Sequence, residues 1–177
     1  MSMSEPPAKL TSVQQAFILH WGEMGEKWGV NRAVAQVHAL LYLSPEPLDA
    51  DAIAMLLQVA RSNVSTSIKE LRDWHLIRQE AVLGRRKEHF VTDADPWNLL
   101  LVVLAERKRR EIDPTLALLR VLKERASDKG SGESPVVRKR LSDLTDLIES
   151  MDAWFTRVRS LPKPALQTLL KAGSLFR

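Results

Sequence analysis

Between Arg61 and Arg72 the chain carries cationic, hydroxyl and amide side chains in close succession: Arg61, Ser62, Asn63, Ser65, Thr66, Lys69 and Arg72. Val64, Ile68 and Leu71 recur at i, i+4 and i+7 through the same stretch, so a helix here has one apolar face and a polar remainder. The chemistry open to such a face is recognition by hydrogen bonds. The Asn63 carboxamide suits the edge of an adenine, and the hydroxyls of Ser62, Ser65 and Thr66 suit bases or phosphates. Lys69 and Arg72 suit backbone phosphates, which set register rather than sequence, and Arg61 adds a third cation at the helix start. A second basic group follows at Gly84-Arg85-Arg86-Lys87. The potential of a minor groove attracts arginines such as Arg85 and Arg86, and Lys87 would contact phosphate. Double-stranded DNA is the partner these residue types favour. A winged domain that binds protein could carry the same surface.

Reaction chemistry has no comparable set. The absence of cysteine excludes disulfides, thiolate zinc sites and thiol nucleophiles. His20, His38, His75 and His89 fall on separate elements, so no pair has metal-ligand spacing on one helix. Gly-rich phosphate loops, Gly-x-Ser-x-Gly elbows and His-Glu-x-x-His runs do not occur. We therefore expect no enzyme, no metal and no cofactor. Trp21, Trp28, Trp97 and Trp154 could line a cation-binding cavity, but their helical spacing favours core or interface packing.

The elements that must present the polar helix can be read on either side of it. Val13, Phe17, Trp21, Met24 and Trp28 predict a helix over about 11–29 with that stripe buried, ended by Gly29. Asn31 caps a second helix to Leu43, with Val34, Val37 and Leu41 inward. Pro45 and Pro47 impose a loop, after which Asp49 caps a short helix 50–57 whose Ile53, Leu56 and Leu57 turn inward. Residues 76–83 and 87–92 read as two strands joined at Gly84. Pro96 starts a helix running to the basic run Arg107–Arg110, which we read as a solvated helix end, and another helix spans 114–126.

Residues 127–134 are a polar linker. Beyond it Val137, Leu141, Leu144, Ile148, Met151, Phe155 and Val158 alternate spacings of four and three, a heptad seam on a helix roughly 40 Å long. The seam either folds back within the chain or pairs with the same seam of a second copy. We favour the second, a two-fold homodimer suited to pseudo-palindromic half-sites. Pro162 and Pro164 end that helix, and a short one follows at 165–170.

Charge is distributed accordingly. The net value is +4, but residues 1–59 hold three basic against six acidic groups, whereas 60–90 hold seven against four. From 96 onward the count is sixteen against ten, so the basic excess lies in the polar helix, the turn and the C-terminal helices. The N-terminal residues Met1–Pro7 lack the features of a secretory signal, and no apolar run approaches the roughly 20 residues of a membrane span, so a cytoplasmic location is expected.

Taken in order, these segments resemble MarR-type winged helix-turn-helix regulators, in particular the glycine-betaine-synthesis-repressor-like branch. The resemblance rests on Leu40–Leu48, Asn63–Leu71, Trp74–Arg78, Gly84–Lys87 and Glu106–Pro114, and covers about residues 12–125. It implies a mainly helical fold with a small β-hairpin wing, dimeric transcriptional control and, in part of the family, gating by a small ligand. The domains expected are 11–95, a winged DNA-binding domain whose first helix is shared with the dimer interface, and 96–177, a helical dimerisation region. The chain departs from the family pattern at Gln58-Val59-Ala60, where Gly-Val-Ser is usual, and at Ala35-Gln36, where Gly-Arg is usual. A missing serine cap costs roughly 1 kcal/mol.

Overall fold

The computed structural model describes residues 9–128 and 130–173; the N-terminal residues Met1–Pro7 and Lys129 of the linker lie outside them. Two compact units meet in sequence at Val103 and Leu104.

In the first unit, α1 (Ser12–Lys27), α2 (Arg32–Leu43), α3 (Ala50–Leu57) and α4 (Arg61–Asp73) surround a small sheet of β1 (Leu48–Asp49), β2 (Ile77–Glu80) and β3 (His89–Thr92). Local chemistry sets most of the boundaries. Thr11 and Gln14 form a capping box on α1, Asn31 Oδ1 accepts from Ala33 N–H on α2, and Asp49 Oδ1 accepts from two amides on α3. After α4, His75 takes φ +56°, and the Leu76 amide donates back to the Leu71 carbonyl at 2.9 Å, a Schellman closure.

Helix α2 is the centre of this unit. It is buried almost all round, and Val34, Val37, Leu40 and Leu41 join Ile53, Val64, Ile68, Leu71, Ile77 and Phe90 in one core. The inward positions expected on α2 and α4 are among them; on α3, Ile53 and Leu56 are buried in this core and Leu57 packs half-buried against it.

Helix α1 departs from expectation. Val13 is 77% exposed and Trp28 58% exposed, and Trp21 is also exposed, so the predicted stripe is not the buried one. The buried residues are Ile18 and Gly22. A Cβ on Gly22 would lie 2.8 Å from Gln36 Cγ, and one on Gly25 would lie 2.6 Å from Ala35 Cβ. The contact row is thus Ile18, Gly22 and Gly25, where two missing side chains let α1 and α2 approach closely. Ala35-Gln36, noted above as a departure from the family pattern, is the segment of α2 that faces those glycines.

The sheet also differs in detail. Its order is β1-β3-β2, all antiparallel, with Leu48 opposite Phe90 and Ile77 opposite Thr92. The segment Leu48–Asp49, read from sequence as loop and cap, is a short third strand. The two expected strands are shorter than predicted, and residues 81–88 form the wing loop.

A further helix, α5 (Pro96–Arg107), begins with Asp95 Oδ1 accepting from the Trp97 amide and runs from the first unit into the second. It continues through a π-helical segment, Lys108–Ile112, into α6 (Asp113–Ser127). The basic run is therefore not a helix end. Arg109 and Arg110 pair with the buried Glu106, and Lys108 Nζ pairs with Asp113 and with Asp152 of α7 (Pro135–Arg159). Widening the helix by one residue per turn is a way to re-aim side chains, and here four successive cations meet carboxylates within the unit.

Helices α6 and α7 form an antiparallel pair, tied by Arg120–Glu149 and Lys123–Asp146 at 2.7 Å each. Leu116, Leu119, Ala126 and Thr145 are buried there, and Thr145 Oγ1 donates to the Leu141 carbonyl. The last described helix, α8 (Lys163–Gly173), is longer than the 165–170 expected and buries Leu166.

Candidate nucleic-acid interface

The polar helix of the sequence is α4, held by its buried side. Val64, Ser67, Ile68 and Leu71 face the core, and the positions between them are exposed: Arg61, Ser62, Asn63, Ser65, Thr66, Lys69 and Arg72. Ser67, a small hydroxyl left out of the recognition set, lies on the buried side. Thr66 Oγ1 donates to the Ser62 carbonyl at 3.1 Å, which leaves its methyl group and an oxygen lone pair outward.

The turn leading into α4 contains Gln58-Val59-Ala60. Gln58 takes φ +54°, the left-handed conformation that glycine adopts without cost, and Ala60 is the N-cap without a side-chain cap bond. Packing by Val64 and Ile68 holds the helix start in place of local capping.

The wing carries the second basic group. The Arg85 amide donates to the Val82 carbonyl at 3.1 Å, and Gly84 has φ +79° at the third position of that turn, where a left-handed residue is required. Arg85, Arg86 and Lys87 are exposed. Below them His89 is buried: its Nδ1–H donates to the Lys87 carbonyl at 2.8 Å, and its Nε2 accepts from the Arg85 guanidinium at 3.5 Å. His89 is a supporting residue that sequence reading passed over, because its partners lie within the loop it braces.

Between α4 and the wing runs an open groove of about 520 Å³, whose walls include Arg61, Ser65, Lys69 and Arg72 on one side and Lys87 and Glu88 on the other. Two acids missed from sequence sit in it. Asp51, on the first turn of α3, accepts from Arg61 Nε at 2.8 Å and from Lys87 Nζ at 2.7 Å, and Asp49 lies 3.8 Å from Lys87. The hydrogen bond from Lys87, followed by that from Arg61, holds the Asp51 carboxyl below its ordinary range, and Asp51 in turn raises Lys87. Arg61 also donates to Ser65 Oγ. Asp49 reads in sequence only as a helix cap; only the fold brings Lys87 to it and to Asp51, 36 positions before the lysine.

The seam residues fall in the second unit. Leu141, Ile148, Phe155 and Val158 are half-buried, whereas Val137, Leu144 and Met151 are exposed. Trp154 and Leu147, outside the heptad, add to the same bare apolar flank, with Trp154 65% exposed. Of the tryptophans considered for a cation cavity, Trp21 stacks on Phe17 with ring centroids 5.4 Å apart, and Phe17 stacks on Tyr42. Among the described residues no group of histidine and carboxylate side chains could hold a metal ion.

This arrangement has known counterparts. A crystal structure of a transcriptional regulator superposes with a TM-score of 0.67, at 22% identity, over 83% of this chain and 95% of that one. The chain shares the fold of that regulator, a winged helix with further helices after it. Over 185 aligned positions it is 22% identical to the HTH-type transcriptional repressor GbsR of Bacillus subtilis, spanning 99% of this chain and 96% of that protein. MepR, a transcription regulator of the Staphylococcus aureus multidrug efflux pump MepA, superposes less closely, with a TM-score of 0.38 at 17% identity over 78% of this chain and 93% of that one. No family model matches the chain.

Proposed function

We propose that the chain is a DNA-binding transcriptional regulator, a repressor, that reads pseudo-palindromic operator DNA as a homodimer. The observation that carries this reading is the joint placement of an exposed hydroxyl-and-amide face on α4 and a basic wing on two sides of one groove. An exposed helix of this kind enters a major groove, and a basic hairpin beside it reaches the neighbouring backbone or minor groove. Asn63, Ser62, Ser65 and Thr66 contact base edges; Arg61, Lys69, Arg72 and Lys87 contact phosphate; Arg85 and Arg86 contact the minor groove. The full-length likeness to a protein named as a repressor supports the direction of control.

Dimerisation supplies the second reading head. Leu144, Met151, Leu147 and Trp154 form an apolar flank on α7 away from the Thr145 side that packs on α6, and in the first unit Val13 of α1 and Trp28 at its C-cap are exposed as well. Exposed apolar side chains in such number mark an interaction surface. A small effector would act by shifting the population of spacings between the two heads. No helix among the described residues is long and apolar enough to cross a membrane, in keeping with a cytoplasmic site of action.

The test is a gel shift of the full chain on DNA from upstream of its own gene, at two salt concentrations. Sequence-preferring binding that weakens with salt is expected, and Arg85→Ala with Arg86→Ala should weaken it without changing the oligomeric state. Absence of such binding, with the protein folded, favours the protein-interaction reading instead.

A further inference from the structure

One acidic side chain joins the two halves of the reading surface. Asp51 belongs to neither α4 nor the wing, yet its two carboxylate oxygens engage Arg61, the first residue of α4, and Lys87, at the base of the wing. Asp49, which caps α3 through the Asp51 and Ala52 amides, approaches the same ammonium. Two of the cations assigned to phosphate are therefore already bonded to carboxylate, in the groove a phosphate backbone would follow.

All three partners are roughly half exposed or more, so the bonds are made in contact with water. Exposed ion pairs of this kind add little to stability and exchange readily for another anion. Their consequence is for binding. Each cation that neutralises a phosphate releases a counterion, which supplies most of the affinity for DNA of arbitrary sequence. Cations held by an internal carboxylate give up part of that gain, because the carboxylate must be displaced first and is left unpaired beside the phosphates.

We propose that Asp51 is a specificity-determining residue, an internal competitor for phosphate that withholds Arg61 and Lys87 from non-cognate DNA. In a cognate complex, base contacts from Asn63 and its neighbours bring α4 close enough for the two cations to transfer from Asp51 to the backbone. Without those contacts the transfer is not favoured, and non-specific binding stays weak. The proposal rests on the DNA-binding reading above.

The experiment compares wild type, Asp51→Asn, Lys87→Met and the double variant for binding to a mixed-sequence DNA duplex across a salt series. Asparagine keeps the size of Asp51, and the Asp49 cap of α3 is untouched; matching circular dichroism spectra check the fold. Asp51→Asn should bind the duplex several-fold more tightly, with the slope of log affinity against log salt steeper by about 1 to 2. In the Lys87→Met background the gain should shrink, since one of the released cations is gone. An unchanged slope, weaker binding, or the same gain without Lys87 overturns the proposal; the last result would mean simple long-range repulsion. If wild type and Asp51→Asn both fail to bind DNA, the functional reading falls as well.

Discussion

His38 Nε2–H, buried on α2, donates to Thr92 Oγ1 on β3 at 3.2 Å, and that hydroxyl donates in turn to the Leu76 carbonyl at 2.7 Å. The hydroxyl proton is committed to the carbonyl, so it can only accept from the imidazole, and this selects the Nε2-protonated neutral tautomer. The chain of bonds ties the central helix to the sheet through a polar contact inside an apolar core.

Burial pushes His38 down from 6.5 to about 4. The unfolded chain therefore binds a proton that the folded chain refuses between those values. Its contribution to stability is complete above pH 6.5 and is lost as pH falls through the window to about 4. The wild type should lose roughly 2 kcal/mol from this group between about pH 7 and pH 5. Urea unfolding of wild type and His38→Gln at both pH values checks this: the variant should lose less, and equal losses would contradict the assignment.

Gly25 predicts a steric effect at the α1–α2 crossing. A side chain there meets Ala35 Cβ at 2.6 Å, so Gly25→Val should destabilise the first unit by about 2–3 kcal/mol in denaturant titration. Gly130→Ala, whose added methyl meets nothing within 4 Å, serves as the neutral comparison. A stable Gly25→Val protein would show that α1 can slide along α2.

At the turn before α4, both residues depart from what the backbone favours. Ala60→Ser adds the missing cap acceptor, worth about 1 kcal/mol. Gln58→Gly relieves the left-handed conformation for about 0.5–1 kcal/mol. Thermal melts should rise for each. A decrease for Ala60→Ser would mean that the helix start is set by contacts a hydroxyl disturbs.

Leu144 lies on the seam but is exposed within its own chain, so Leu144→Asp should leave the α6–α7 pair folded. If a second copy covers this flank, the buried charge will break that pairing. Light scattering should report a monomer with unchanged helix content by circular dichroism. A variant that remains dimeric removes α7 from the interface.

Periodicity in the sequence determined most of the first unit. Apolar spacing at Val64, Ile68 and Leu71 oriented α4 correctly, because a helix with one strongly apolar side has one way to sit on a core. Caps at Asn31 and Asp49 set helix starts, since those bonds close within three residues. Gly84 marked the wing turn for the same local reason. These features supplied the fold class and the ten candidate DNA-contacting residues.

Contacts between distant segments were decided by the tertiary structure alone. On α1 the row Ile18, Gly22 and Gly25 won over the bulkier stripe, because close helix approach rewards missing side chains, which no hydrophobic pattern records. The basic run at 107–110 turned to carboxylates of its own unit when the helix widened, which leaves no trace in composition. The Asp51 bridge depends on a lysine 36 positions away. Sequence spacing specifies the faces of single elements, whereas pairing of charges across elements follows from where the backbone carries them.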